Sequence, residues 1–144
     1  MEIRLNSQIY PQPVLNDILI CHECPAAMSH YRLILGRIQE RQKSSGIWIS
    51  TAAGSTGAVR SLGGQAQSLG SRQFQYRPRE LYWAKNERYR LTGGIFNPQK
   101  KLKIISQMKQ GRIYIDGAHA SLEFGTGSVL SVVPSKYLLK AILS

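Results

Sequence analysis

The chain has 144 residues, 42% of them hydrophobic, and sets 19 Lys and Arg against 8 Asp and Glu, a formal net charge of +11 at pH 7. That apolar share excludes disorder by composition, and the lack of any run of about 18 apolar residues excludes a helical membrane span. Met1–Ser7 lacks a signal-peptide core, so a soluble, cytoplasmic domain is expected, with anionic partners to match its cations.

Residues 1–13 are polar and contain Pro11 and Pro13, which predicts an extended lead-in to one domain over 14–144. A domain of this size buries about two thirds of the surface its unfolded chain exposes. Val14–Cys21 reads as a strand with a polar pair, Asn16-Asp17, set into it. Such a pair needs partners if buried, and a turn or strand-edge position is its simplest reading. Cys21-His22-Glu23-Cys24 has metal-like spacing, but no second cysteine pair completes the four ligands of structural zinc. Cys21 is therefore expected to end a buried strand, with both thiols free. His30–Ile38 alternates through Tyr31, Leu33 and Leu35 and predicts a strand paired with the preceding one. Gln39–Ser45 reads as a charged link.

Ile47, Trp48 and Ile49 form a short apolar run bounded by Gly and Ser, the pattern of a buried strand. Small residues and Gly54 follow, a stretch able to turn sharply. Ser55 and Thr56 are good N-cap residues for about two turns of helix over Ala58–Leu62, which Gly63-Gly64 ends. A strand, a tight turn and a helix start bring N–H groups and hydroxyls close to a ligand, and the same residues also suit a plain connector. No Lys follows the glycine, so this is not a Walker loop, and it is not GxGxxG.

Gln65–Gln73 is a polar connection, and Phe74–Glu80 is strand-like until Pro78. Arg77 and Arg79 suit either phosphate contacts or a solvated edge. Lys101–Ile105 and Arg112–Ile115 alternate as half-buried strands do. Asp116-Gly117 makes a hairpin turn with Ser121–Phe124 returning, and Ser128–Val133 and Tyr137–Leu143 close the chain with β-prone residues.

The ordered residues Gly46-Ile47-Trp48-Ile49-Ser50-Thr51, Gly54-Ser55-Thr56 and Ser61-Leu62-Gly63-Gly64 resemble the glycine-rich signature of the C-terminal domain of NAD kinases. Asn16-Asp17 is similar to the family's Asn-acid pair, and Arg79-Glu80 and Asp116-Gly117 match two later steps. The resemblance covers residues 14 to 143 and, at Lys43-Ser44-Ser45-Gly46, is closer to the mitochondrial-type branch. Ala53 and Ala58 stand where the family commonly has Ser or Thr and Tyr.

The resemblance implies an α+β, β-rich fold of multi-stranded, mostly antiparallel sheets with one short helix after the Gly-Ser-Thr turn. It implies that Asn16, Asp17, Gly54, Ser55 and Thr56 contact NAD as substrate. In the complete enzyme, ATP with Mg²⁺ would then phosphorylate the adenosine ribose 2′-hydroxyl to give NADP. Neither Gly63-Gly64-Gln65 nor Gly93-Gly94-Ile95 supplies the acid of the family's N-terminal Gly-Gly-Asp-Gly motif. No catalytic or metal-binding residue is assigned to this chain, and alone it is expected to be inactive. Partners expected are NAD or NADP and either further copies of itself or a domain bearing Gly-Gly-Asp-Gly, whether the chain is a fragment or a complete protein. A non-catalytic, basic nucleic-acid-binding or regulatory module is the alternative that the charge allows. Aromatics that do not interleave with a basic stripe argue against it.

Overall fold

A computed structural model describes residues 1–138 and Lys140. The strands are β1 (Glu2–Leu5), β2 (Gln8–Ile9), β3 (Asp17–His22), β4 (Ser29–Leu35), β5 (Ile38–Ser44) and β6 (Ile47–Ser50). After the helix α1 (Ala58–Ser61) come β7 (Phe74–Pro78), β8 (Gly94–Phe96), a 3-10 turn at Pro98–Lys100, β9 (Leu102–Ser106), β10 (Gly111–Ile115), β11 (Ala120–Glu123) and β12 (Val129–Val133). They form two six-stranded sheets, ordered β2-β1-β12-β9-β4-β5 and β11-β10-β3-β6-β7-β8. Every ladder is antiparallel.

One apolar cluster joins the two sheets. Alternation decides which side chains enter it: Ile18 and Ile20 of β3, Ile47 and Ile49 of β6, and Ile113 and Ile115 of β10 point inward from the second sheet. Ile3, Tyr31, Leu33, Leu102, Ile104, Leu130 and Val132 answer them from the first. Burying each such side chain contributes about 1.5–3 kcal/mol, so this cluster is the main force holding the sheets face to face.

Four expectations change. Residues 1–13 are extended but join the first sheet: β1 pairs with β12, and Met1 and Ile3 are core residues. Gln39–Ser45 is largely strand rather than link, because an edge strand can carry charge outward. Two of its inward residues are polar and make bonds there, with Gln42 Nε2 donating to the Leu91 carbonyl at 2.8 Å and Ser44 Oγ bonded to Tyr31 Oη at 2.8 Å, while Gln42 Oε1 stays unpartnered. The strand within His30–Ile38 pairs with β5 and β9, not with the preceding β3, which lies in the other sheet. The helix is a single turn: Gly57 is its N-cap, with no side-chain capping bond, so neither Ser55 nor Thr56 fills that role. The strand expected over Tyr137–Leu143 falls largely outside the described residues, and Tyr137 and Leu138 are not in a strand.

Candidate functional site

The second sheet brings three distant segments to one end. β3 starts where β10 and β6 finish, because Ile18 pairs with both Ile115 and Ile49 in antiparallel ladders. The residues just before β3, just after β6 and just after β10 are therefore neighbours. Asn16, Asp17, Ala53, Gly54, Thr56, Gly57, Asp116 and Gly117 line a cleft of about 400 Å³ there.

Asp116 organises the cleft. Its Oδ2 accepts from Leu15 N–H at 2.8 Å, and its Oδ1 accepts from Asn16 N–H at 2.7 Å and Asp17 N–H at 3.2 Å. In return Asp116 N–H donates to the Asp17 carbonyl at 3.0 Å. A carboxylate receiving three successive backbone donors fixes the Asn16-Asp17 corner far more tightly than a hairpin turn alone requires. Asp116 has φ +48° and Gly117 φ +107°. Asp tolerates that left-handed region better than most residues, which is why this acid fits the turn.

The Gly-Ser-Thr turn is docked onto the same corner. Thr51 N–H donates to the Asn16 carbonyl at 2.8 Å, and Thr51 Oγ1 donates to the Leu15 carbonyl at 2.6 Å. Gly54 lies so close that a Cβ there would sit 2.3 Å from the Asn16 carbonyl oxygen. No other residue fits without moving backbone, so the glycine is there for close approach rather than for positive φ.

Asn16 and Thr56 are exposed at the cleft, and Asp17 is half-buried in it. Burial first, and then the charge of Asp116, raise the Asp17 carboxyl above its ordinary value. Ser55 turns away: it is fully buried, its Oγ donating to the Ala52 carbonyl at 2.7 Å and accepting from Gln67 N–H at 2.8 Å. It holds the turn together instead of facing the cleft. The N–H groups of Ser55 and Gly57 are also occupied, by the carbonyls of Ala52 and Gly54. The turn thus brings Ala53, Gly54, Thr56 and Gly57 to the cleft, with the N–H groups of Ser55 and Gly57 already used within it.

Two other sequence candidates lie elsewhere. Arg77 donates to the Gly63 carbonyl at 2.9 Å, and Arg79 lines a neighbouring cavity of about 370 Å³ on the second sheet's outer face, which shares Gly117 with the cleft. Cys21 and Cys24 share that cavity as free thiols, and His22 Nδ1 accepts from Cys24 N–H at 2.9 Å. Among the described residues, no group of three or more His, Cys, Asp and Glu is placed to hold a metal ion.

What sequence reading missed here was Asp116. Its partners lie about a hundred positions away, and the one available signal was the Asp-Gly step closing an alternating strand.

In fold, the chain is similar to crystal structures that include the following two. One is an NAD kinase from Archaeoglobus fulgidus in complex with ATP, with a TM-score of 0.72 at 20% identity over 94% of this chain and 51% of that one. The other is yeast NADH kinase complexed with NADH, with a TM-score of 0.74 at 17% identity over 96% and 40%. The β-rich architecture with one short helix is thus the fold of an NAD kinase C-terminal domain. In sequence, it is 30% identical to a probable NADH kinase of Oryza sativa subsp. japonica over 99% of its length and 46% of the relative. It is 31% identical to an NADH kinase of Arabidopsis thaliana over 71% of its length and 32% of the relative. In sequence and in fold the chain is thus similar to the C-terminal part of members of the NAD kinase family. It spans less than half the length of either plant relative. No family model matches it.

Proposed function

We propose that this chain supplies the dinucleotide-binding half of an NAD(H) kinase, in which ATP phosphorylates the adenosine ribose 2′-hydroxyl. The observation that carries the reading is the convergence of Asn16-Asp17, Ala53–Gly57 and Asp116-Gly117 on one cleft. Its volume, about 400 Å³, lies within the range of small-molecule sites. The ATP and NADH complexes of the two structural neighbours support those ligand classes.

Each residue then has a part to play. The Asn16 amide and Asp17 carboxylate present a donor and acceptors to ribose hydroxyls. The Thr56 hydroxyl adds a third polar contact, and Gly54 lets the turn that carries it pack directly on the Asn16 corner. A carboxylate with a raised pKa is also a better proton acceptor, so Asp17 suits holding a hydroxyl in line. Positioning of this kind carries much of phosphoryl-transfer catalysis.

Mg²⁺ does not fit these residues as its own site. Both oxygens of Asp116 accept backbone N–H bonds, which leaves Asp17 as the one uncommitted carboxylate of the cleft among the described residues. The metal-bound triphosphate has to be held by other groups. A domain bearing Gly-Gly-Asp-Gly or a second copy of this chain would supply them.

Calorimetry tests the reading, with NADH, NAD and duplex DNA titrated separately. Dinucleotide binding is expected, and Thr56→Val should weaken it by about 1 kcal/mol or more with an unchanged melting temperature. Salt-steep DNA binding without a dinucleotide signal would sink the proposal, and a Thr56→Val stability loss at constant affinity would remove Thr56 from the site.

A further inference from the structure

The outer face of the first sheet, away from the nucleotide cleft, gathers cations without neutralising them. Alternation places Arg32 of β4, Arg41 and Lys43 of β5, Lys103 of β9 and Arg4 of β1 on that face, opposite in sense to buried Tyr31, Leu33, Leu102, Ile104 and Ile3. Arg32 and Arg41 stand directly across from one another in the ladder, and His30 stands across from Lys43. Like charges in directly opposed positions work against a sheet.

The acids are committed elsewhere. Glu23 pairs with Arg112, the one ion pair among the described residues. Glu40 accepts from the N–H groups of Arg90 and Leu91, Glu80 from Ser45 Oγ, and Glu87 from Tyr89 Oη. Asp17 and Asp116 face the cleft, and Glu123 lies in the second sheet. Glu2 shares the basic face, at its β1 edge, where it accepts from Ser135 Oγ and Lys136 N–H.

Aliphatic side chains lie between these cations. Ile105 pairs with Val129 on one side and Arg32 on the other, and Ile34 pairs with Lys103. All three are half-buried. None of the strand residues on this face is Phe, Tyr or Trp; exposed Tyr82, whose N–H donates to the Lys43 carbonyl, and Tyr137, beside Lys136, only border it. Phosphates would leave the aliphatic strip between Arg32, Arg41 and Lys103 unmatched.

We infer that this face binds an acidic polypeptide segment of another protein, one whose Asp or Glu residues alternate with aliphatic ones. Carboxylates would pair with Arg32, Arg41 and Lys103 while the aliphatic residues cover Ile34, Ile105 and Val129. Charge complementarity would speed encounter, and the apolar strip would slow release. This inference does not depend on what the cleft binds.

Fluorescence anisotropy with a labelled peptide of repeating Glu-Leu tests it, beside polyglutamate, single-stranded DNA and phosphatidylserine vesicles. The leucine-bearing peptide should bind most tightly, and added salt should weaken it. The Arg32→Gln/Arg41→Gln double variant should weaken it about tenfold or more. Its unfolding midpoint should hold or rise, because an opposed like-charge pair has gone, and NADH binding at the cleft should not change. Ile105→Ser should weaken the peptide but not polyglutamate. The inference is overturned if the peptide does not bind, if the double variant binds it equally well, or if DNA or vesicles bind more tightly. A fall in midpoint with unchanged binding would make the arginines structural instead.

Discussion

Replacing Asp116 by Asn probes the clamp that shapes the cleft. Asn keeps the size of the side chain and tolerates the left-handed backbone at φ +48°, so the turn itself gains no strain. One oxygen remains, able to accept from Asn16 and Asp17 N–H as Oδ1 does now. The other becomes an NH₂ group facing Leu15 N–H, which sits 2.8 Å from Oδ2 in the native chain. One bond is lost, a donor meets a donor, and the two remaining bonds lose their charge assistance. An ordinary bond contributes about 1 kcal/mol net and this site is exposed, so a loss of about 1–2 kcal/mol is expected. For a domain of this size that lowers the melting temperature by about 3–6 °C. NADH affinity should fall as well, because Asn16 and Asp17 lose the anchor that orients them. Urea unfolding and calorimetry with NADH measure the two effects separately. If Asp116→Asn leaves both the midpoint and the affinity unchanged, the clamp does not position the site.

Because its pKa is raised, Asp17 holds its proton more tightly in the native chain than in the unfolded one. Its stabilising contribution is fully present below the unfolded value of 3.8 and is lost as pH rises through the native pKa. Asp17→Asn should flatten that part of the stability profile while weakening NADH binding by about 1 kcal/mol or more, as thermal unfolding across pH and calorimetry would reveal. The purified 144-residue chain should form no NADP(H) from NAD(H) and ATP in an enzyme-coupled assay, and activity should return when a domain bearing Gly-Gly-Asp-Gly is supplied. Mg²⁺-dependent turnover by the chain alone, abolished in Asp17→Asn, would mean that another group provides the missing acid.

Strands with clean alternation or continuous apolar runs were legible: Ile47–Ile49, Leu102–Ile105 and Ile113–Ile115 all lie in ladders, with Ile47, Ile49, Leu102, Ile104, Ile113 and Ile115 inward. β5 was not, because its buried positions are Gln42 and Ser44, whose partners Leu91 and Tyr31 no local pattern reveals. β1 was hidden by its short length and by Pro11 and Pro13 beyond it, although Ile3 is wholly buried by β12 from the far end of the chain. In the cleft, Asn16, Asp17, Gly54 and Thr56 could be picked out only through the family's order of residues. Spacing alone left each with a bland reading. Ser55 shared the motif but not the exposure, since burial depends on Ala52 and Gln67 curling around it.

The sheet order has a kinetic consequence during synthesis. β12 is inserted between β1 and β9, so until Val129–Val133 emerges the first sheet exists only as two separate pieces, β2-β1 and β9-β4-β5. Each piece presents an unpaired edge, and the apolar faces of Ile3 and Ile104 lack their common neighbours Leu130 and Val132. The chain also passes between the sheets repeatedly, so no contiguous stretch can complete either one. Such long-range pairing makes folding slow and leaves the nascent chain open to aggregation. Until β12 closes the gap, those open edges are where one nascent chain would pair with another.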